Sequence, residues 1–149
     1  MIHLLAPTDF STASRAGIRL AIQWSRQQPT KILFVHVLHI PRLTKWSDLQ
    51  YKAFAAAERS RCEKELDRFV GDIYKKLDLA ADNYVNLVLE GIRFGLIEQM
   101  CRAAGIPVVF DAAQALRIAR RVGVPVVFAV RRRTYLPAGT MPCTCAVLV

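Results

Sequence analysis

Short apolar runs alternate with amphipathic stretches along the whole chain, and this alternation limits the fold more than any other feature. The apolar runs are IHLLAP (2–7), KILFVHVLHI (31–40), YVNLVLE (84–90), IPVVF (106–110) and VPVVFAV (124–130). Each is too short to be a buried helix and is bounded by Pro, Gly, Asp or Asn, as strands are. The stretches between them repeat at helical spacing. Ile18, Leu20, Ala21, Ile22 and Trp24 form one side of the first, while Arg15, Arg19 and Arg26 supply a polar side. Strands joined by helices must run parallel through right-handed crossovers. The expected fold is therefore α/β: an open five-stranded parallel sheet with helices on both faces, Rossmann-like in layout.

Local signals set the boundaries. Ser11 is a good N-cap for the first helix, and Pro29 ends that helix. From Ser47 to about Leu77 a long helix is expected, with Leu49, Phe54, Cys62, Leu66, Phe69, Val70, Ile73 and Leu77 on or near one stripe. Gly91 turns the third strand into a helix that runs to about Ala104. The near-repeats Gly105-Ile-Pro-Val-Val-Phe and Gly123-Val-Pro-Val-Val-Phe read as two parallel strands around a helix, AAQALRIARRV. Residues 1–130 form the expected domain. Residues 131–149 are an extension, a basic loop followed by CTCAVLV, a candidate sixth strand. Two placements of that strand carry equal weight: across a dimer, or folded back antiparallel on the fifth strand.

With 53% hydrophobic and 22% charged residues, the chain of 149 residues has enough apolar material for a core. No apolar run approaches the length of a membrane span, and MIHLLAPTDF lacks the basic start and long apolar core of a signal peptide. A soluble cytoplasmic protein with no membrane partner is expected. The net charge is +9, and two thirds of the excess lies in residues 112–149, which hold six arginines and no acidic residue. With Tyr135 as the main aromatic there, that patch reads as a solvated basic face rather than a nucleic-acid site. Cys143 and Cys145 form a lone C-x-C, and His36 and His39 are expected on opposite sides of a strand, so no metal site is expected. No nucleophile elbow, H-x-E motif or paired carboxylate motif is present, so the chain is not read as an enzyme.

In an open parallel sheet, ligands collect beyond the carboxyl ends of the strands. Here those ends are Thr8-Asp9, Val37-Leu38, Glu90-Gly91, Phe110-Asp111 and Val130-Arg131. The first of them lies in LLAPTDFSTASRAGIRLAIQWSRQQPTKILFVHVLHI, which resembles the opening of the universal stress protein family: an apolar strand, a P-x-D-F-S turn, a helix and a second strand ending near His-Val. VLEGIRFGLIEQMCRAAG and AQALRIARRVGVPVVFAV are similar to later parts of that family.

The resemblance implies a nucleoside near Pro7, Asp9 and Val37, and phosphates on a glycine-rich loop after the fourth strand with the pattern G-x2-G-x9-G-(S/T). This chain has no glycine from 106 to 122. Strand four runs directly into Asp111, whose carboxylate as a helix N-cap would occupy the donors a phosphate needs and repel its charge. Reading Gly139-Thr140 as the end of the glycine pattern leaves no room for the helix that should follow and leaves ALRIARRVGVPVVFAV unplaced. The expectation is a universal-stress-protein-like, non-catalytic module with a degenerate nucleotide site at Pro7, Asp9, Val37 and Asp111. Such a module acts in stress response through a homodimer or an unidentified protein partner, with no cofactor. The alternative is an atypical ATP- or AMP-binding member using Asp9, Val37 and the C-terminal arginines.

Overall fold

The computed structural model describes residues 2–106, 108–110, 126–130 and 144–148, with side chains through Ile106 and at Val109. Within these, the order is β1 (Ile2–Pro7), α1 (Thr12–Ser25), β2 (Thr30–Leu38), α2 (Asp48–Lys76), β3 (Tyr84–Glu90), α3 (Arg93–Ala103), β4 (Val108–Phe110), β5 (Val126–Val130) and β6 (Thr144–Leu148). The strands form one sheet in the order β3-β2-β1-β4-β5-β6, and every pairing is parallel. The order of connection switches sides between β1 and β4, and in doubly wound folds such a switch point forms the crevice where ligands bind. β6 pairs parallel with β5 of its own chain, which replaces the antiparallel hairpin considered for the C-terminal segment. The helix expected over 112–122 and the basic loop after Val130 lie outside the described residues.

Alternation along the central strands builds two cores. Leu4 and Ala6 of β1, with Ile32 and Phe34 of β2, face α1 and α2. Leu5 and Val35 face the other way, against Ile97 and Cys101 of α3 with Ile106 and Val109. In α1 the buried residues are Ser14, Gly17, Ile18, Ala21 and Ile22, the seam a 3.6-residue period places on one side. Ser11 caps this helix by accepting the Ser14 N–H. Ser47 and Gln50 close a capping box on α2, so both starts were legible in the sequence.

The stripe expected on α2 holds only in part. Cys62, Leu66, Phe69, Val70, Ile73 and Tyr74 are buried, whereas Leu49 and Phe54 are exposed. Their angular offset from the seam explains this, because the line back from Cys62 passes through Ala55 and Tyr51 instead. β2 stops at Leu38, so His39 lies beyond the strand and is exposed rather than on its opposite face. At the end of β3, Gly91 sits at φ +153°, and a Cβ there would lie 2.9 Å from Leu96 Cδ1. The positive φ is what favours glycine here, since the Leu96 side-chain end could shift to admit a Cβ.

Phe34 is fully buried between Tyr74 and Tyr84, with ring centroids 6.5 and 5.5 Å away. Phe34→Ala should lower unfolding free energy by about 3–5 kcal/mol in urea titrations, the range for a large aromatic cavity.

Candidate functional site

The carboxyl end of β1 turns sharply into α1, and short polar side chains make that turn. Thr8 is buried, and its N–H still donates to the Val35 carbonyl of β2 at 2.8 Å. Its hydroxyl lies 2.8 Å from Ser14 Oγ, and it accepts the Phe10 N–H at 3.0 Å. Ser14 Oγ also lies 2.9 Å from the Ser11 carbonyl, which only accepts, so the single Ser14 hydroxyl proton goes there. The Thr8 hydroxyl must then donate to Ser14, and every polar atom of this buried pair has a partner.

Phe10 adopts φ 63°, a left-handed conformation costly for a residue with a Cβ. Packing holds it there. Its ring stacks on His36 at 4.3 Å and meets the edge of Phe69 at 5.6 Å. His36 Nδ1 lies 2.9 Å from the Thr8 carbonyl, so Nδ1 carries the proton and donates. Arg15 of α1 lies over the other ring of this group, its guanidinium carbon 4.5 Å from the Phe69 centroid.

Asp9 is exposed at the tip of the turn, where Oδ1 accepts the Ser11 N–H at 3.0 Å. Partial burial alone would raise its pKa. Hydrogen bonds from the Ser11 hydroxyl and N–H and from Ser14, with the charge of Arg93, outweigh that and hold it below the ordinary carboxylate value. Pro7 is buried at the end of β1 opposite Val35, and Val37 is half-buried on β2, against the core beneath α3. Pro7, Asp9 and Val37 thus share one end of two neighbouring strands. Asp111 lies outside the described residues.

Arg93, the first residue of α3, was not singled out in the sequence, yet its charge reaches Asp9. The available signal was its position just after Gly91, at the end of β3, where the chain enters a helix beside the other strand ends. Among the described residues, no three His, Cys, Asp or Glu side chains are grouped so as to hold a metal ion. No helix there is long and apolar enough to cross a membrane. The arrangement offers an acceptor, a cation and an apolar wall at Val37. These can position a polar ligand, but among the described residues they include no activated nucleophile.

Thr8→Val keeps the shape but strands the Phe10 N–H and removes the donor to Ser14 Oγ, and should cost about 1–3 kcal/mol in urea unfolding. A carboxylate with a depressed folded pKa contributes stability that is present above its unfolded pKa and lost as pH falls through the folded one. The stability difference between the native protein and Asp9→Ala should therefore narrow as pH drops below about 4, measured by denaturation at successive pH values.

No family model and no curated protein matches the chain. Solved structures do match in fold. A universal stress protein family member from Burkholderia pseudomallei is 16% identical with a TM-score of 0.63, over 83% of this chain and 92% of that one. UspA from Lactobacillus plantarum is 13% identical with a TM-score of 0.61, over 99% and 97%. A universal stress protein family protein from Arabidopsis thaliana, with AMP bound, is 12% identical with a TM-score of 0.57, over 85% and 89%. The chain has the fold of the universal stress proteins.

Proposed function

We propose that this chain is a universal-stress-protein-like, non-catalytic module that does not bind ATP strongly and acts in stress response through a homodimer or a protein partner. The observation that carries this reading is the absence of any glycine from 106 to 122, where a phosphate cradle would be needed. The geometry of Asp9 supports it: the carboxylate is already engaged by Ser11 in holding its own turn. Catalysis finds no support in the described cysteines. Burial pushes the Cys101 thiol up to about 11, with Glu98 adding to the effect, and burial likewise raises Cys62.

A second reading, an atypical nucleotide-binding member, is favoured by the AMP bound to the Arabidopsis thaliana protein of the same fold. It also draws on Arg93, whose charge acts on Asp9, a cation that a phosphate could use. In that reading Asp9 and Val37 hold the nucleoside, and arginines replace backbone amides at the phosphates.

Thermal unfolding with millimolar Mg-ATP, and separately with AMP, separates the two. A ligand at about 100 times its dissociation constant stabilises by about 2.7 kcal/mol, which raises the midpoint of a domain this size by several degrees. The proposal expects no shift with either nucleotide. A clear rise that Asp9→Ala abolishes would contradict it and establish the second reading.

A further inference from the structure

β3 is the outermost strand at one edge of the sheet, and among the described residues it pairs only with β2. α1 lies over β1, β2 and β4, so the flank of α2 above the β3 edge meets no other described helix. Lys52, Ala56, Arg59, Ser60 and Glu63 line a groove between this flank and Glu90. Glu63 and Asp67 line a second beside Asn86 and Val88, so the two grooves run on through Glu63. With Leu49 and Gly71, these positions of α2 cover about 120° of arc at about 100° per residue. All but Gly71 are exposed, Leu49 by 79%.

Ionic pairing on α2 is one-sided. On the flank away from β3, Arg61 meets Glu58 at 3.0 Å and Glu65 at 3.1 Å. On the β3 flank, Lys52, Arg59, Glu63 and Asp67 form no ion pair among the described residues. Arg59 donates to the Val88 carbonyl at 3.2 Å, and Asp67 accepts from Asn86 at 2.6 Å, which leaves each with capacity to spare. Glu63 and Asp67 stand i,i+4, where like charges repel unless a cation joins them. The flank is neutral as a whole, because Lys52, Arg59 and Lys64 balance Glu63, Asp67 and Glu90.

Gly71 is an independent observation. A glycine inside a helix destabilises it relative to alanine, and a Cβ at this position would meet nothing within 4 Å. The chain's own packing therefore does not call for glycine here. Leu49 and Gly71 are each eleven residues from Ser60, a large exposed side chain on one side and bare backbone on the other.

We infer that this flank docks a second copy of the chain, the two α2 helices lying antiparallel about a two-fold axis at Ser60. The axis sets Leu49 over the second copy's Gly71, Lys52 beside its Asp67 and Arg59 beside its Glu63, and each contact occurs twice. Ala56 and Ser60 near the axis let the backbones approach. A second copy fits better than an unrelated partner because the pattern is complementary to itself once reversed. The net charge of +9 does not oppose this, since two thirds of the excess lies in residues 112–149, which include β5 and β6 at the other edge of the sheet. The inference rests on the homodimer proposed above and assigns its surface.

Sedimentation velocity on the full chain, over a concentration series at low salt, tests it. Two variants reverse charge on opposite halves of the flank: Lys52→Glu with Arg59→Glu, and Glu63→Lys with Asp67→Lys. The native chain is expected to sediment as a dimer. Each variant alone should dimerise about a hundredfold more weakly or worse, because like charges then face each other. An equimolar mixture of the two should regain the dimer, since opposite charges meet again at all four places. The four side chains are exposed, so circular dichroism should be unchanged. Gly71→Gln should also weaken the native dimer, without loss of helix. A native chain that sediments as a monomer overturns the inference and the homodimer together, leaving a different protein as the partner. A dimer that persists in both variants overturns the inference alone and moves the interface to another face. Variants that lose the dimer and do not regain it on mixing overturn it as well.

Discussion

β1 has no free face. Leu4 and Ala6 press into the core under α1 and α2, Leu5 enters the core under α3, and the strand is hydrogen-bonded to β2 on one side and β4 on the other. A strand so enclosed cannot slip, since a one-residue shift would exchange its two cores. Its carboxyl end is therefore fixed relative to β2, and the chain must reverse into α1 within Thr8–Ser11. The buried Thr8 hydroxyl makes that reversal tolerable by satisfying the Phe10 N–H and meeting Ser14. Without it, the left-handed Phe10 would lose a partner just where the backbone is least comfortable.

That turn also decides what the sheet's end can do. Asp9 stands at its tip with a low pKa, so it carries a charge near neutral pH, and Arg93 at the start of α3 answers that charge. The ends of β1 and β3 thus carry an acceptor and a cation, with Val37 between them on β2. In the proposed reading they do not by themselves grip a phosphate chain. That takes several backbone N–H groups aimed at one point, which glycines permit and a β-branched or carboxylate-bearing segment does not. The sequence Pro107-Val108-Val109-Phe110-Asp111 has the latter character.

Much of this architecture was legible in the sequence because the signals were local. Ser11 and Ser47 announced helix starts, Gly91 announced a turn, and YVNLVLE coincides with β3 residue for residue. Other features depend on distant contacts and were not. Leu49 and Phe54 look like core residues by composition, yet their angle on α2 points them away from the sheet. The parallel pairing of β6 depends on which edge is open, which no short stretch encodes. Asp9 was singled out, but the link to Arg93 spans three strands and becomes visible only when the sheet is assembled.

The central claim is that the carboxyl end of the sheet is built to hold its own turn rather than a nucleotide. Backbone amide chemical shifts from two-dimensional NMR during AMP titration test it most directly, since each amide reports its own surroundings. The account predicts no saturable change at Thr8–Ser14, Val37 or Arg93 up to millimolar AMP. Saturable shifts confined to those amides would contradict it.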